Sequence, residues 1–132
     1  MRTETIQTDI MAQVKKIEPV IRKHSFEAEK NRRLSDPVLK ALKESKMFRI
    51  WKPEAYDGLE TDPITGFEVL EELSKIDSAV GWNVNLSMAI DAAGQWFSDE
   101  AMDEVFASED EVVMAGSWHP PGKAILLKED MR

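Results

Sequence analysis

The feature that most limits how this chain can fold is the stretch from Ser78 to Phe97, SAVGWNVNLSMAIDAAGQWF. Asp91 is the only ionisable residue between Asp77 and Asp99. A helix with so little charge on any side belongs at the centre of a bundle, where neighbours cover all of it. Gly81, Ala89, Ala92, Ala93 and Gly94 would let those neighbours come close. Asp77 or Ser78 is placed to cap its start.

The flanking segments supply the covering helices. Ile6, Ile10, Val14, Ile17 and Ile21, with Phe26 less strictly in step, recur at spacings of three and four, which predicts a helix over about 5–31. Pro19 should kink it or open a second helix there. Ser35 or Asp36 followed by Pro37 predicts a helix over about 36–45, with Val38, Leu39 and Leu42 inward. FRIWKPEAYDGLETDP has no helical period and reads as a loop. Asp62-Pro63 starts a further helix that buries Phe67, Val69, Leu70, Leu73 and Ile76, and Ser98 caps a short one. After residue 110 the character changes. EVVMAGSWHPPGKAILLKE predicts a strand, a Pro-Gly turn and a second strand. The expected fold is therefore all-α: an orthogonal or up-down bundle of five to six helices over 1–110, with a short C-terminal β-hairpin or strand in 111–132. That hairpin would be the start of a β domain whose other strands are missing. Its unpaired edge would pair with a second copy, giving a homo-oligomer.

Charge narrows the partners. The 17 Lys+Arg against 25 Asp+Glu give a formal net charge of −8, and the basic residues form no stripe, which argues against nucleic acid. No apolar run approaches the ~20 residues of a membrane helix. MRTETIQTDI carries both signs of charge and lacks the apolar core of a secretory signal, so the cytoplasm is the expected location. The absence of cysteine excludes disulfides and thiolate chemistry.

Specific motifs carry a resemblance. Leu42-Lys43-Glu44, Phe48, Pro53-Glu54-Ala55-Tyr56-Asp57-Gly58 and Val69-Leu70-Glu71-Glu72-Leu73 through Asp77 resemble the acyl-CoA dehydrogenase N-terminal domain. A leu-lys-glu helix end there leads into P-E-x-Y-G-G and a V-x-E-E-L helix. Gly81-Trp82 and the Ala115-Gly116-Ser117…Pro121-Gly122 turn are closer to the branch of flavin-dependent monooxygenases and hydroxylases. The resemblance covers about residues 10–125. It implies an N-terminal helical domain of a flavin-dependent oxidoreductase using FAD or FMN, cut off before the domains that do the chemistry. The substrate would be an acyl-CoA or an aromatic compound. The alternative is a stand-alone, non-catalytic homologue acting as a binding or assembly module.

The resemblance also implies site residues. Ser117, Trp118 and His119 fall on the turn that contacts flavin in the family, and the positions matching the dehydrogenases' Thr-Glu-Pro there are Trp118, His119 and Pro120. Trp82 would touch substrate. The monooxygenases carry a histidine after the Gly-Trp pair, and residues 83–96 hold none. From the residues alone, Trp82 and Trp96 lie close to four helical turns apart on one face and are more ordinarily core. Asn83 and Asn85 would cap, face a polar pocket or mark the wet side. Glu71 and Glu72 point about 100° apart and form no catalytic pair. His24 has no second ligand at metal spacing, so no metal site is expected.

Overall fold

The computed structural model describes residues 2–94, 96–106, 112–113 and 122–123. Among the described residues there are five helices and no strand. They are α1 (Arg2–Asn31), α2 (Asp36–Glu44), α3 (Pro63–Ile76), α4 (Ser78–Gly94) and α5 (Asp99–Phe106), with a 3₁₀ turn at Glu54–Tyr56. The hairpin expected in 111–132 lies outside the described residues except at 112–113 and 122–123, which are neither helix nor strand.

The long helix continues past Pro19 without ending. Lys15, Lys16 and Pro19 are all exposed, so the break in the hydrogen-bond ladder falls on the wet side. The buried side is Ile10, Val14, Ile17, Ile21 and Ala28, while Phe26 is 80% exposed. α2 buries Val38 and Leu42, and Met47, Phe48 and Ile50 follow into the same core with Val69, Leu73, Val80, Val84 and Met88. α1 packs on α2 and α3, and α3 packs on α4. Burying these side chains is the main source of stability, at roughly 1.5–3 kcal/mol each.

Three helical ends close in the same way. The amide of Arg33 donates to Ala28 O at 3.2 Å and that of Arg32 to Glu29 O at 3.3 Å. Met47 and Lys46 repeat the pair on Leu42 and Lys43, and Gly58 and Asp57 on Pro53 and Glu54. This is the Schellman pattern. Its left-handed position is filled by Arg32, Lys46 and Asp57 with φ of 54°, 60° and 60°, where glycine would fit without strain.

The starts of α3 and α4 are capped as the sequence suggests. Asp62 Oδ1 accepts from the amides of Ile64 and Thr65, and Thr65 Oγ1 donates to Asp62 Oδ2 at 2.6 Å. Asp77 Oδ1 accepts from the Ala79 amide at 2.8 Å. At α2 the cap is Ser35, but its hydroxyl makes no capping bond.

Two packing expectations are corrected. Phe67 is 58% exposed rather than core. It meets the Trp51 ring edge-on at 5.4 Å, on the outer side of α3. α4 is not central. Its buried stripe is Val80, Val84, Ser87, Met88 and Asp91, while Trp82, Asn83 and Ala89 are exposed. Low charge all round reflects one face packed on α3 and another left open.

Candidate functional site

The open side of α4 is built by a close helix crossing. A Cβ added at Gly81 would come within 2.1 Å of Ser74 Oγ, so α3 and α4 touch almost backbone to side chain there. That contact turns the neighbouring Trp82 outward, where it is 62% exposed. Trp82 and Gly81 line a cavity of about 260 Å³ with Leu70, Ser74, Ser78 and Asn85. Asn83 donates to the Ala79 carbonyl at 2.8 Å. Leu86, Ile90 and Ala93 are half-buried further along the helix. An aromatic ring beside an apolar groove with a few polar groups suits a flat organic ligand. Trp96 does not share this face. α4 ends at Gly94, and Trp96 stands beyond it, 78% exposed.

A second cluster was not signalled by any motif. Asp91 is 4% exposed, and its Oδ2 has no hydrogen-bond partner. Burial pushes its carboxyl up to about 7, while the nearby Lys52 pulls the other way. Lys52 is itself 4% exposed, and its ammonium sits 4.3 Å above the Phe106 ring centre. Asp91 lines an open cleft of about 360 Å³ between α4 and the loop before α3. The lone charge of the neutral stretch was the one available hint. Its burial depends on a loop whose path no periodicity encodes.

That loop is held firmly. Leu59 donates to Arg49 O at 2.8 Å, Glu60 to Lys52 O at 3.1 Å and Thr61 to Ile50 O at 3.0 Å. Lys46 Nζ lies 3.0 Å from Asp57 Oδ1, and Arg49 pairs with the other oxygen. The Lys46 bond, first, holds the Asp57 carboxyl below its usual range. A Cβ on Gly58 would meet Lys52 O at 1.8 Å, so only glycine fits that corner.

Ser117, Trp118 and His119 lie outside the described residues, so only Trp82 of the expected set has a described position. His24 is paired with Glu27 at 2.9 Å. Among the described residues no group of three or more His, Cys, Asp or Glu could hold a metal. Glu71 and Glu72 both bind Lys75, as partners of a surface ammonium. No helix among the described residues is long and apolar enough to cross a membrane.

The chain belongs to the acyl-CoA dehydrogenase N-terminal domain family, whose profile matches residues 6–106. Relatives it matches include oxygenase subunits of flavin-dependent monooxygenases. It is 27% identical over 104 residues to the oxygenase subunit HsaA of a flavin-dependent monooxygenase from Rhodococcus jostii, covering 79% of this chain and 27% of the relative. It is 30% identical over 96 residues to indole-3-acetate monooxygenase from Acinetobacter baumannii, covering 73% and 24%. The fold superposes on XiaF from Streptomyces sp., solved with FADH2 and glycerol, with TM-score 0.78 and 32% identity over 81% of this chain and 27% of that one. The chain thus spans about a quarter of the length of these relatives.

Proposed function

We propose that this domain forms one wall of the substrate pocket in a flavin-dependent enzyme that hydroxylates an aromatic compound. The observation that carries the reading is the open α4 face, with Trp82 62% exposed beside its groove. An exposed indole beside a groove offers a flat apolar surface that a ligand ring can cover. The relatives' flavin dependence supports the cofactor class, FAD or FMN. Flavin would supply the oxygen chemistry. The residues assigned to flavin by resemblance, Ser117, Trp118 and His119, stand outside the described part, and Trp82, assigned to substrate, offers its exposed ring as a stacking surface. This chain's own residues would do three things. Trp82 would stack on the substrate ring. Leu70, Leu86 and Ile90 would exclude water around it. Ser74, Ser78 and Asn85 would supply hydrogen bonds that fix its orientation.

A domain graft tests this. Residues 6–106 replace the matching segment of the Rhodococcus oxygenase. The graft is expected to bind flavin and hydroxylate the parent's substrate, and Trp82→Ala should lower kcat/KM about tenfold or more. A graft that folds and binds flavin yet turns over nothing would overturn the reading. So would a Trp82→Ala graft with unchanged kinetics.

A further inference from the structure

We propose that the cleft at Asp91 is a separate binding site for a small neutral aromatic molecule carrying a hydroxyl group. Asp91 lies nine positions after Trp82, which puts them about 180° apart on the helix. The cleft and the Trp82 groove therefore open on opposite sides of α4, and this inference does not rest on the proposed function.

Geometry comes first. Asp91 is 4% exposed, and its Oδ2 has no partner. A buried acceptor left unsatisfied costs about 1–3 kcal/mol, which a ligand donor would recover once a small turn of the carboxylate brings the oxygen to the cleft. The same residue lines a cleft of about 360 Å³. That volume lies at the small end of ligand pockets and suits one ring. The walls are apolar and flat: Trp51, Pro53, Pro63 and Ala92. They are also fixed. The Trp51 indole is seated on Gly66, where a Cβ would come within 2.3 Å of its Nε1, and the loop hydrogen bonds hold Thr61 and Glu60. A rigid wall loses little entropy on binding.

Charge selects the ligand. Glu60 shares the lining, so an anion is repelled. Lys52, buried and close enough to act on Asp91, opposes a cation. A neutral group remains. With its carboxyl pushed up to about 7 by burial, Asp91 is present in both protonation states near neutrality. A hydroxyl can donate to one and accept from the other.

Phenol, toluene and benzoate are titrated into the 132-residue chain, with amide and indole N–H signals followed by NMR. Phenol is expected to give saturable shifts at Thr61, Ala92 and the Trp51 indole. Toluene and benzoate should bind more weakly, and Asp91→Ala should weaken phenol about tenfold, the worth of one hydrogen bond. Ala92→Leu, which narrows the cleft and keeps the carboxyl, should abolish the shifts. The proposal is overturned if phenol shifts nothing, if toluene binds as well, or if the shifts gather on Trp82 instead. If Asp91→Ala does not fold, the comparison of phenol with toluene and the Ala92→Leu variant decide the matter.

Discussion

Burial holds the Asp91 carboxyl at about 7, against 3.8 for an ordinary aspartate. Below about pH 4 it is protonated in both folded and unfolded chains and contributes nothing. As pH rises towards 7 the unfolded chain releases the proton first, so stability falls, and above 7 the penalty is constant. At 1.36 kcal/mol per pKa unit the full penalty is roughly 4 kcal/mol. Asp91→Asn should therefore raise the Tm at pH 8 and leave it nearly unchanged at pH 4, as calorimetry at the two pH values would show. A lower Tm at pH 8 would mean that the attraction of the nearby Lys52 charge outweighs desolvation. Gly58→Ala forces a Cβ onto Lys52 O and should cost about 1–3 kcal/mol or more in urea denaturation. The need for glycine at that corner could be guessed from Asp57-Gly58 as a turn signal. The cause, a carbonyl six residues earlier in the chain, could not, because it depends on how the loop folds back on itself.

At the scale of helices the sequence was most informative about starts. Asp62-Pro63 and Asp77 cap α3 and α4 as their residue types predict. Hydrogen bonds from Thr65, first, hold the Asp62 carboxyl below its usual range. That stabilisation is present at neutral pH and is lost as pH falls through the depressed value. Asp62→Ala should lower the Tm at pH 7, with the difference vanishing in strong acid. The helix ends were less legible, because glycine is the usual signal and Arg32, Lys46 and Asp57 take its place. Arg32→Gly should stabilise the chain by about 0.5–1 kcal/mol by relieving left-handed strain, measurable as a higher urea midpoint with an unchanged slope. Pro19 misleads as a breaker because it lies on the exposed side of α1. Phe67 fits the apolar period of α3 yet faces out, because Trp51 occupies the space over Gly66.

For the whole molecule, the all-α class and the order of helices were legible from apolar spacing. The edge position of α4 was not, since low charge shows that a helix avoids water without showing what covers it. The two faces of α4 and α3 should respond differently to mutation. Leu73, fully buried, should cost about 2–5 kcal/mol on change to Ala. Trp82→Ser should shift stability by no more than about 0.5 kcal/mol. A large loss at Trp82 would show that the open face is packed in solution.

The last described helix is held in place from a distance. Tyr56 Oη donates to Asp103 at 2.9 Å, Lys52 lies over Phe106, and Met102 meets Gly94. Three separate anchors, on the loop and on α4, thus fix the middle and the last turn of α5 in orientation. The orientation of α5 is set by Lys52 and Tyr56, a residue pair in a loop far upstream, as much as by the helix's own sequence.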